Sequence, residues 1–164
     1  MIKKIAFFSV LPSLMLAFAV PCHATGDVVL HSKYGDIASK LEGRWSPDCD
    51  NLEGIKIDGH LKAKITVNSN QIVINSFLKE GDKKDGLVGV YLESPLDLGR
   101  GGMNLDWDHF SRDHRIAAIK IENESDVIFN WNGFYVGKAK KYQWVSEPDF
   151  YGDSGKINFH RCDN

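Results

Sequence analysis

Residues 60–67 read His-Leu-Lys-Ala-Lys-Ile-Thr-Val, and this stretch decides the fold class. Every second residue from Leu61 to Val67 is apolar, and the residues between them are polar. Because successive side chains of a β-strand point to opposite faces, a period of two predicts a half-buried strand with one face in water. Such strands are typical of antiparallel sheets that pack on one side only.

The same rhythm continues along the chain, with polar turns between the strands. Further strands are expected at residues 71–78, 87–92, 116–122, 127–131, 142–145 and 157–162. Short strands that follow one another in this way favour an all-β antiparallel meander of about eight strands. Closure into a small barrel would remove the open sheet edges, and a sandwich is the alternative if the meander stays open. One short N-terminal helix is predicted over residues 34–41, ahead of Gly43 as a stop.

The start of the chain has the pattern of a secretory signal peptide. A basic beginning precedes an apolar run over residues 5–20, and Ala24 marks the expected cleavage site. A transmembrane anchor is the alternative, but a spanning helix needs about 20 apolar residues and this run is shorter. A lipid anchor on Cys22 is another alternative. We expect residues 1–24 to be removed and residues 25–164 to form a single β-barrel domain that is periplasmic or secreted.

Charge and cysteine count after cleavage narrow the class of protein. Loss of Lys3 and Lys4 leaves 18 of the 20 basic residues against 22 acidic ones, a formal charge of −4. A nucleic-acid binder carries a clustered basic face, so this balance argues against nucleic acid and is compatible with a cationic partner. Cys49 and Cys162 remain in the mature chain. An even pair in an exported protein predicts a disulfide, with two free buried thiols as the alternative.

The two ends of the predicted meander carry a motif. Gly43-Arg44-Trp45 opens the first strand, and the last strand carries Arg161. This arrangement resembles the lipocalin-like (calycin) barrels, where a Gly-x-Trp tryptophan packs under a basic residue of the last strand. The resemblance implies that Trp45 plugs one barrel end, that the Arg161 guanidinium stacks on its ring, and that closure brings Cys162 near Cys49. Periplasmic lysozyme inhibitors, which are small disulfide-closed barrels, are also similar.

Charged, histidine and aromatic residues are most concentrated in residues 106–114, Asp-Trp-Asp-His-Phe-Ser-Arg-Asp-His. A metal site there would use Asp106, Asp108, His109 and His114. A general acid–base site would need a carboxylate–imidazole pair within hydrogen-bond reach. A recognition loop would combine apolar anchors with charge, since interface hot spots favour Trp, Tyr and Arg. The remaining possibility is a surface connection with Trp107 and Phe110 turned into the core.

We favour the recognition loop, because the sequence has no helical or paired-loop ligand pattern and the glycines of residues 99–102 allow the loop to stand out. Acidic residues at 147–153, among aromatics, would suit a basic partner, although paired carboxylates of this kind also serve sugar hydrolysis. The predicted partner-binding residues are Trp107, Asp108, His109, Arg112, His114, Glu147 and Asp149. We predict no catalytic residue, metal ligand or cofactor, because nucleophile-elbow, phosphate-loop and dinucleotide motifs are missing from the sequence.

These patterns predict a non-enzymatic exported protein that binds and inhibits or neutralises another protein. Examples are an immunity protein or an inhibitor of a cell-wall-degrading enzyme. The expected partner is a protein, such as a basic cell-wall-degrading enzyme or toxin, with no nucleic acid and no stable membrane insertion after signal cleavage. A hydrolase built on residues 106–114 is one alternative. The other is a lipocalin-like carrier of a small apolar ligand, with a cup lined by Leu61, Ile65, Ile119, Phe129 and Trp131.

Overall fold

The computed structural model of the chain describes residues 35–68, 72–81, 86–143 and 156–162. The predicted signal peptide and the predicted partner-binding acids Glu147 and Asp149 lie outside the described residues. Within the described ranges, no helix has the length and apolar character that crossing a bilayer requires.

The described chain consists of short strands with a little helix. In chain order the elements are α1 (residues 35–41), β1 (Gly43–Ser46), β2 (Gly54–Ile57), β3 (Lys62–Asn68), β4 (Ile72–Glu80), β5 (Leu87–Asp97), the single turn α2 (Gly99–Gly102), a 3-10 turn (Trp107–His109), β6 (Arg115–Ile121), β7 (Asp126–Trp131), β8 (Phe134–Val136), β9 (Lys141–Gln143) and β10 (Lys156–Cys162). The short helix predicted before Gly43 is confirmed as α1.

Eight of these strands close into an antiparallel barrel in the order β1-β10-β7-β6-β5-β4-β3-β2. The wall closes because β1 pairs with β2 on one side and with β10 on the other. The predicted all-β barrel is therefore confirmed, and its architecture is compatible with a lipocalin-like fold. The strand expected at residues 142–145 has a different place, because β9 pairs with β8 in a separate hairpin outside the barrel.

The alternation in β3 determines which face of the wall is buried. Ile65 lies opposite Ile55 on β2 and Ile74 on β4, and all three side chains are buried. Lys64, one residue earlier, lies opposite Lys56 on the outer face, where both are exposed. The inner faces of the strands together form one apolar core. Each large side chain buried there contributes about 1.5–3 kcal/mol relative to leaving it in water.

The predicted disulfide between Cys49 and Cys162 is confirmed, with a Cα–Cα distance of 5.4 Å. Cys162 ends β10 directly beside Arg44 on β1. The β1–β2 connection folds back over this position, where the Arg44 guanidinium donates to the carbonyl oxygens of Cys49, at 2.9 Å, and of Asn51. Because the bridge spans a sequence separation of 113, it strongly restricts the unfolded chain.

The two ends of the barrel are built differently. At one end, which we call the helix end, α1 places the fully buried Leu41 against the core. At the other, the loop end, the β5–β6 connection (residues 98–114) packs beside the β8–β9 hairpin. There the Ser111 amide donates to the Tyr135 carbonyl oxygen at 2.8 Å, and an isolated bridge joins Phe110 to Val136.

Candidate functional site

The helix end is closed by the residues that carry the calycin-like motif. The Arg161 guanidinium lies 4.3 Å from the centre of the Trp45 ring. Its nitrogens donate to the carbonyl oxygens of Glu124 at 2.9 Å, of Lys40 at 2.5 Å, and of Glu42. The Trp45 indole donates to the carbonyl oxygen of the last α1 residue, at 2.8 Å. The last strand, the first strand and α1 are thus joined by one stacked pair, which has a structural role.

The same arrangement explains why position 43 is a glycine. Its φ of +128° lies in a region that side chains rarely adopt. A Cβ at this position would come within 3.2 Å of an Arg161 guanidinium nitrogen. A glycine ahead of Trp45 therefore allows the guanidinium to reach across the barrel end.

The barrel interior is filled by its own side chains. The five residues expected to line a ligand cup, Leu61, Ile65, Ile119, Phe129 and Trp131, all belong to the buried core. Phe129 stacks on Phe159 with ring centres 4.8 Å apart. Ile65, Ile119 and Phe129 have no surface that water could touch. Ile65, Ile119 and Phe129 therefore have no water-sized cavity beside them, which disfavours the carrier.

Trp107 lies in the core at the loop end, so its ring is not presented to a partner. Its indole centre lies 5.5 Å from Phe110 and 5.4 Å from Phe134, both edge-to-face. The indole nitrogen donates to the Gly102 carbonyl oxygen at 2.9 Å. Phe134 in turn contacts the inward-facing Trp131 at 5.5 Å. Edge-to-face contacts of this kind anchor the β5–β6 connection onto the barrel.

The neighbours of Trp107 form the exposed surface of the same connection. Asp108, His109, Arg112 and His114 are exposed. The Arg112 guanidinium donates to the Glu93 carbonyl oxygen, which fixes the connection to β5. A partner-binding role for these four residues stays a prediction.

The two histidines of the connection lie in separate polar pairs. His109 Nδ1 is 2.9 Å from an Asp106 carboxylate oxygen, and its Nε2 is 3.3 Å from the Lys138 ammonium group. His114 Nδ1 is 2.8 Å from the Ser111 hydroxyl, and its ring stacks on Tyr135 at 3.6 Å. The carboxylate–imidazole pair that acid–base chemistry needs is therefore present, although both of its members stand about half exposed in water.

The four residues considered as candidate metal ligands do not form a common cluster. Among the residues that the structure describes, no group of three or more histidine, cysteine or acidic side chains is arranged to hold a metal ion. Asp106 and His109 share one contact, and His114 is engaged elsewhere.

Exposed apolar side chains mark the loop end, and the sequence reasoning missed them. The large hydrophobic residues exposed in the described chain are Leu52, Leu96, Met103 and Tyr142, at 82%, 51%, 70% and 39%. Leu96 near the end of β5, Met103 in the β5–β6 connection and Tyr142 in the β8–β9 hairpin lie at the loop end. Leu52 lies apart from them, in the β1–β2 connection, where it lines a pocket of the outer wall with Lys56 and Lys64. The Tyr142 ring also meets Tyr135 edge-to-face at 5.2 Å, which continues the stack begun by His114. The sequence signal that could have identified this surface is the presence of a leucine and a methionine, Leu96 and Met103, beside the glycine-rich residues 99–102.

One titratable contact lies at the opposite end. The Asn123 amide donates to an Asp126 carboxylate oxygen at 2.9 Å, and His160 Nδ1 lies 2.6 Å from the other oxygen. These contacts, that of Asn123 first, hold the pKa of Asp126 below its usual range. The pair joins the start of β7 to β10, so its role is structural.

Comparison of the chain with protein-family models, with curated proteins and with solved structures gave no match.

Proposed function

We propose that the protein is an exported, non-enzymatic binding protein that inhibits or neutralises another protein through its loop end. The observation that carries the proposal is the exposure of Leu96, Met103 and Tyr142 at that end, on a barrel whose inward side chains form a buried core. Exposed apolar side chains rimmed by polar groups are typical of interaction surfaces.

The loop end also has the rigidity that a binding surface needs. The edge-to-face contacts of Trp107 hold the β5–β6 connection on the barrel, and the Ser111–Tyr135 bond ties it to the β8–β9 hairpin. A surface ordered before binding loses less entropy when the partner arrives. Arg112 and Tyr142 on this surface are of the residue types that dominate interface energetics.

Charge and compartment support the partner class. The predicted mature chain is acidic, which favours encounter with a basic protein. The Cys49–Cys162 disulfide suits an oxidising compartment, where cell-wall-degrading enzymes and toxins act. We therefore assign the partner to basic enzymes or toxins of this kind.

The test measures inhibition rather than capture alone. The mature protein would be used to retrieve partners from periplasmic and culture extracts. Each identified enzyme, together with a purified basic lysozyme-type enzyme, would then be assayed on cell walls. Met103→Asp should weaken inhibition at least about tenfold, because it places a charge in the apolar part of the interface.

Ser39→Asp is the matched control, because it adds the same charge at an exposed position of α1, at the helix end. It should leave inhibition unchanged. The proposal fails if no identified partner is inhibited, or if the Met103 and Ser39 variants inhibit equally well.

A further inference from the structure

The outer wall of the barrel carries a pocket that the loop-end proposal does not use. It has a volume of about 560 Å³ and lies over β2, β3 and β4. A second pocket of about 160 Å³ adjoins it and shares Lys56 and Lys64 with it. The charged side chains that line the larger pocket are Glu42, Lys56, Asp58, Lys62, Lys64 and Glu93.

The strand register places like charges directly opposite one another in this wall. Arg44 on β1 pairs with Lys56 on β2, and Lys56 pairs with Lys64 on β3. Opposed residues of antiparallel strands have Cβ atoms about 4.5–5.5 Å apart, and like charges at that separation destabilise a sheet. The row therefore destabilises the fold. It occurs although the chain has more acidic than basic residues, with a formal charge of −2.

Neighbouring groups leave two of these cations without counter-ions. Glu93 pairs with Lys62. An Asp58 carboxylate oxygen accepts the backbone amides of His60 and Lys62, both at 2.9 Å. The Arg44 guanidinium donates to two backbone carbonyls.

Glu42 is the remaining acid of the pocket lining, and within the described ranges it makes no ion pair or hydrogen bond with either lysine. Lys56 and Lys64 thus have no ion pair or hydrogen bond within the described part of the chain.

We infer that Lys56 and Lys64 form a binding site for a phosphoryl group of a small soluble ligand. A phosphoryl group has up to two negative charges and three acceptor oxygens, so it can accept from both ammonium groups at once. The pocket volume is in the range of small-molecule sites, about 300–1,000 Å³. A pocket of this size holds a compact ligand and not an extended surface, which favours a small molecule over a membrane or polymer.

Inorganic pyrophosphate is the probe, titrated into the mature protein against chloride of matched ionic strength. We expect saturable binding with a rise in Tm. The double variant Lys56→Gln/Lys64→Gln should weaken binding at least about tenfold. Without ligand, the same variant should have a Tm about 1–3 °C higher than the parent, because the like-charge row is relieved. This gain also shows that the variant is folded.

Lys120→Gln/Lys141→Gln is the matched control. It removes the same charge from exposed positions on β6 and β9 and should bind pyrophosphate like the parent. Equal affinity of the two double variants would overturn the inference, as would the absence of saturable binding by the parent. Binding to phosphatidate-containing vesicles without binding to pyrophosphate would also overturn it. Inhibition of the partner enzyme should be unaffected by the Lys56/Lys64 change, so the two proposals fail separately.

Discussion

Replacing Arg161 by alanine should lower the free energy of unfolding by about 3–5 kcal/mol. The guanidinium donates to three backbone carbonyls and stacks 4.3 Å from the Trp45 ring centre. A typical hydrogen bond contributes about 1 kcal/mol net, and a cation–π contact about 0.5–2 kcal/mol. Because the side chain is partly exposed, we use this ordinary value for each bond rather than the higher one of a buried charged donor. The carbonyls of Lys40, Glu42 and Glu124 would be left to water.

Urea unfolding of the disulfide-intact protein, followed by tryptophan fluorescence, measures this loss. Arg161→Lys should lose about 2 kcal/mol, because an ammonium group keeps the charge but neither stacks as a plane nor reaches all three carbonyls. Arg115→Ala, on the outer wall, is the control and should change stability by less than about 1 kcal/mol. If Arg161→Ala were as mild as Arg115→Ala, the stacked pair would not hold the barrel end together, and the reasoning would be refuted.

Three further changes test other parts of the barrel by the same unfolding assay. Gly54→Ala should cost more than about 2 kcal/mol, since φ is +127° and a Cβ would lie 2.2 Å from a β1 carbonyl oxygen; a loss below about 1 kcal/mol would contradict this. Ser76 is buried and its hydroxyl has no hydrogen-bond partner among the described residues. Ser76→Ala should therefore leave stability equal or raise it by up to about 1 kcal/mol, and a clear loss would reveal a bond at the hydroxyl. The lowered pKa of Asp126 means that its contribution to stability is present above the ordinary carboxyl pKa and is lost as pH falls through the lower folded-state value. In Asp126→Asn, the free energy of unfolding should therefore fall less steeply as the pH is lowered into the acid range, and its pH dependence should be unchanged at higher pH. If the fall at acid pH were the same as in the parent, the Asn123 and His160 contacts would not contribute to stability.

The barrel could be predicted because the alternation of apolar and polar residues within a strand shows which of its faces is buried. β3 and β7 each bury every second side chain, so a single strand indicates both the period and the wet face. β2 could not be found this way, because four residues give too few alternations to stand out. β9 was placed in the wall because its residues resemble a strand, and nothing local shows that its partner is β8.

The candidate sites were harder to predict because they depend on contacts between distant residues. Whether Trp107 turns inward depends on Phe134, which lies on β8. The opposition of Lys56 and Lys64 depends on the pairing of β2 with β3, and a shift of β2 by one residue would move Lys56 to the other face of the wall. Composition near residues 106–114 therefore indicated a candidate region but not which side chains it exposes.

The cross-link at Cys49 and Cys162 has a mechanical consequence. A pulling force applied to the two chain ends would pass through the sulfur–sulfur bond and bypass the strands from β2 to β10, which lie between the two cysteines. Only the segments outside the bridge could be stretched, so β1 could peel from its neighbours while the rest of the wall bore no load. Reduction would convert the molecule from one that resists extension into one that unravels along most of its length.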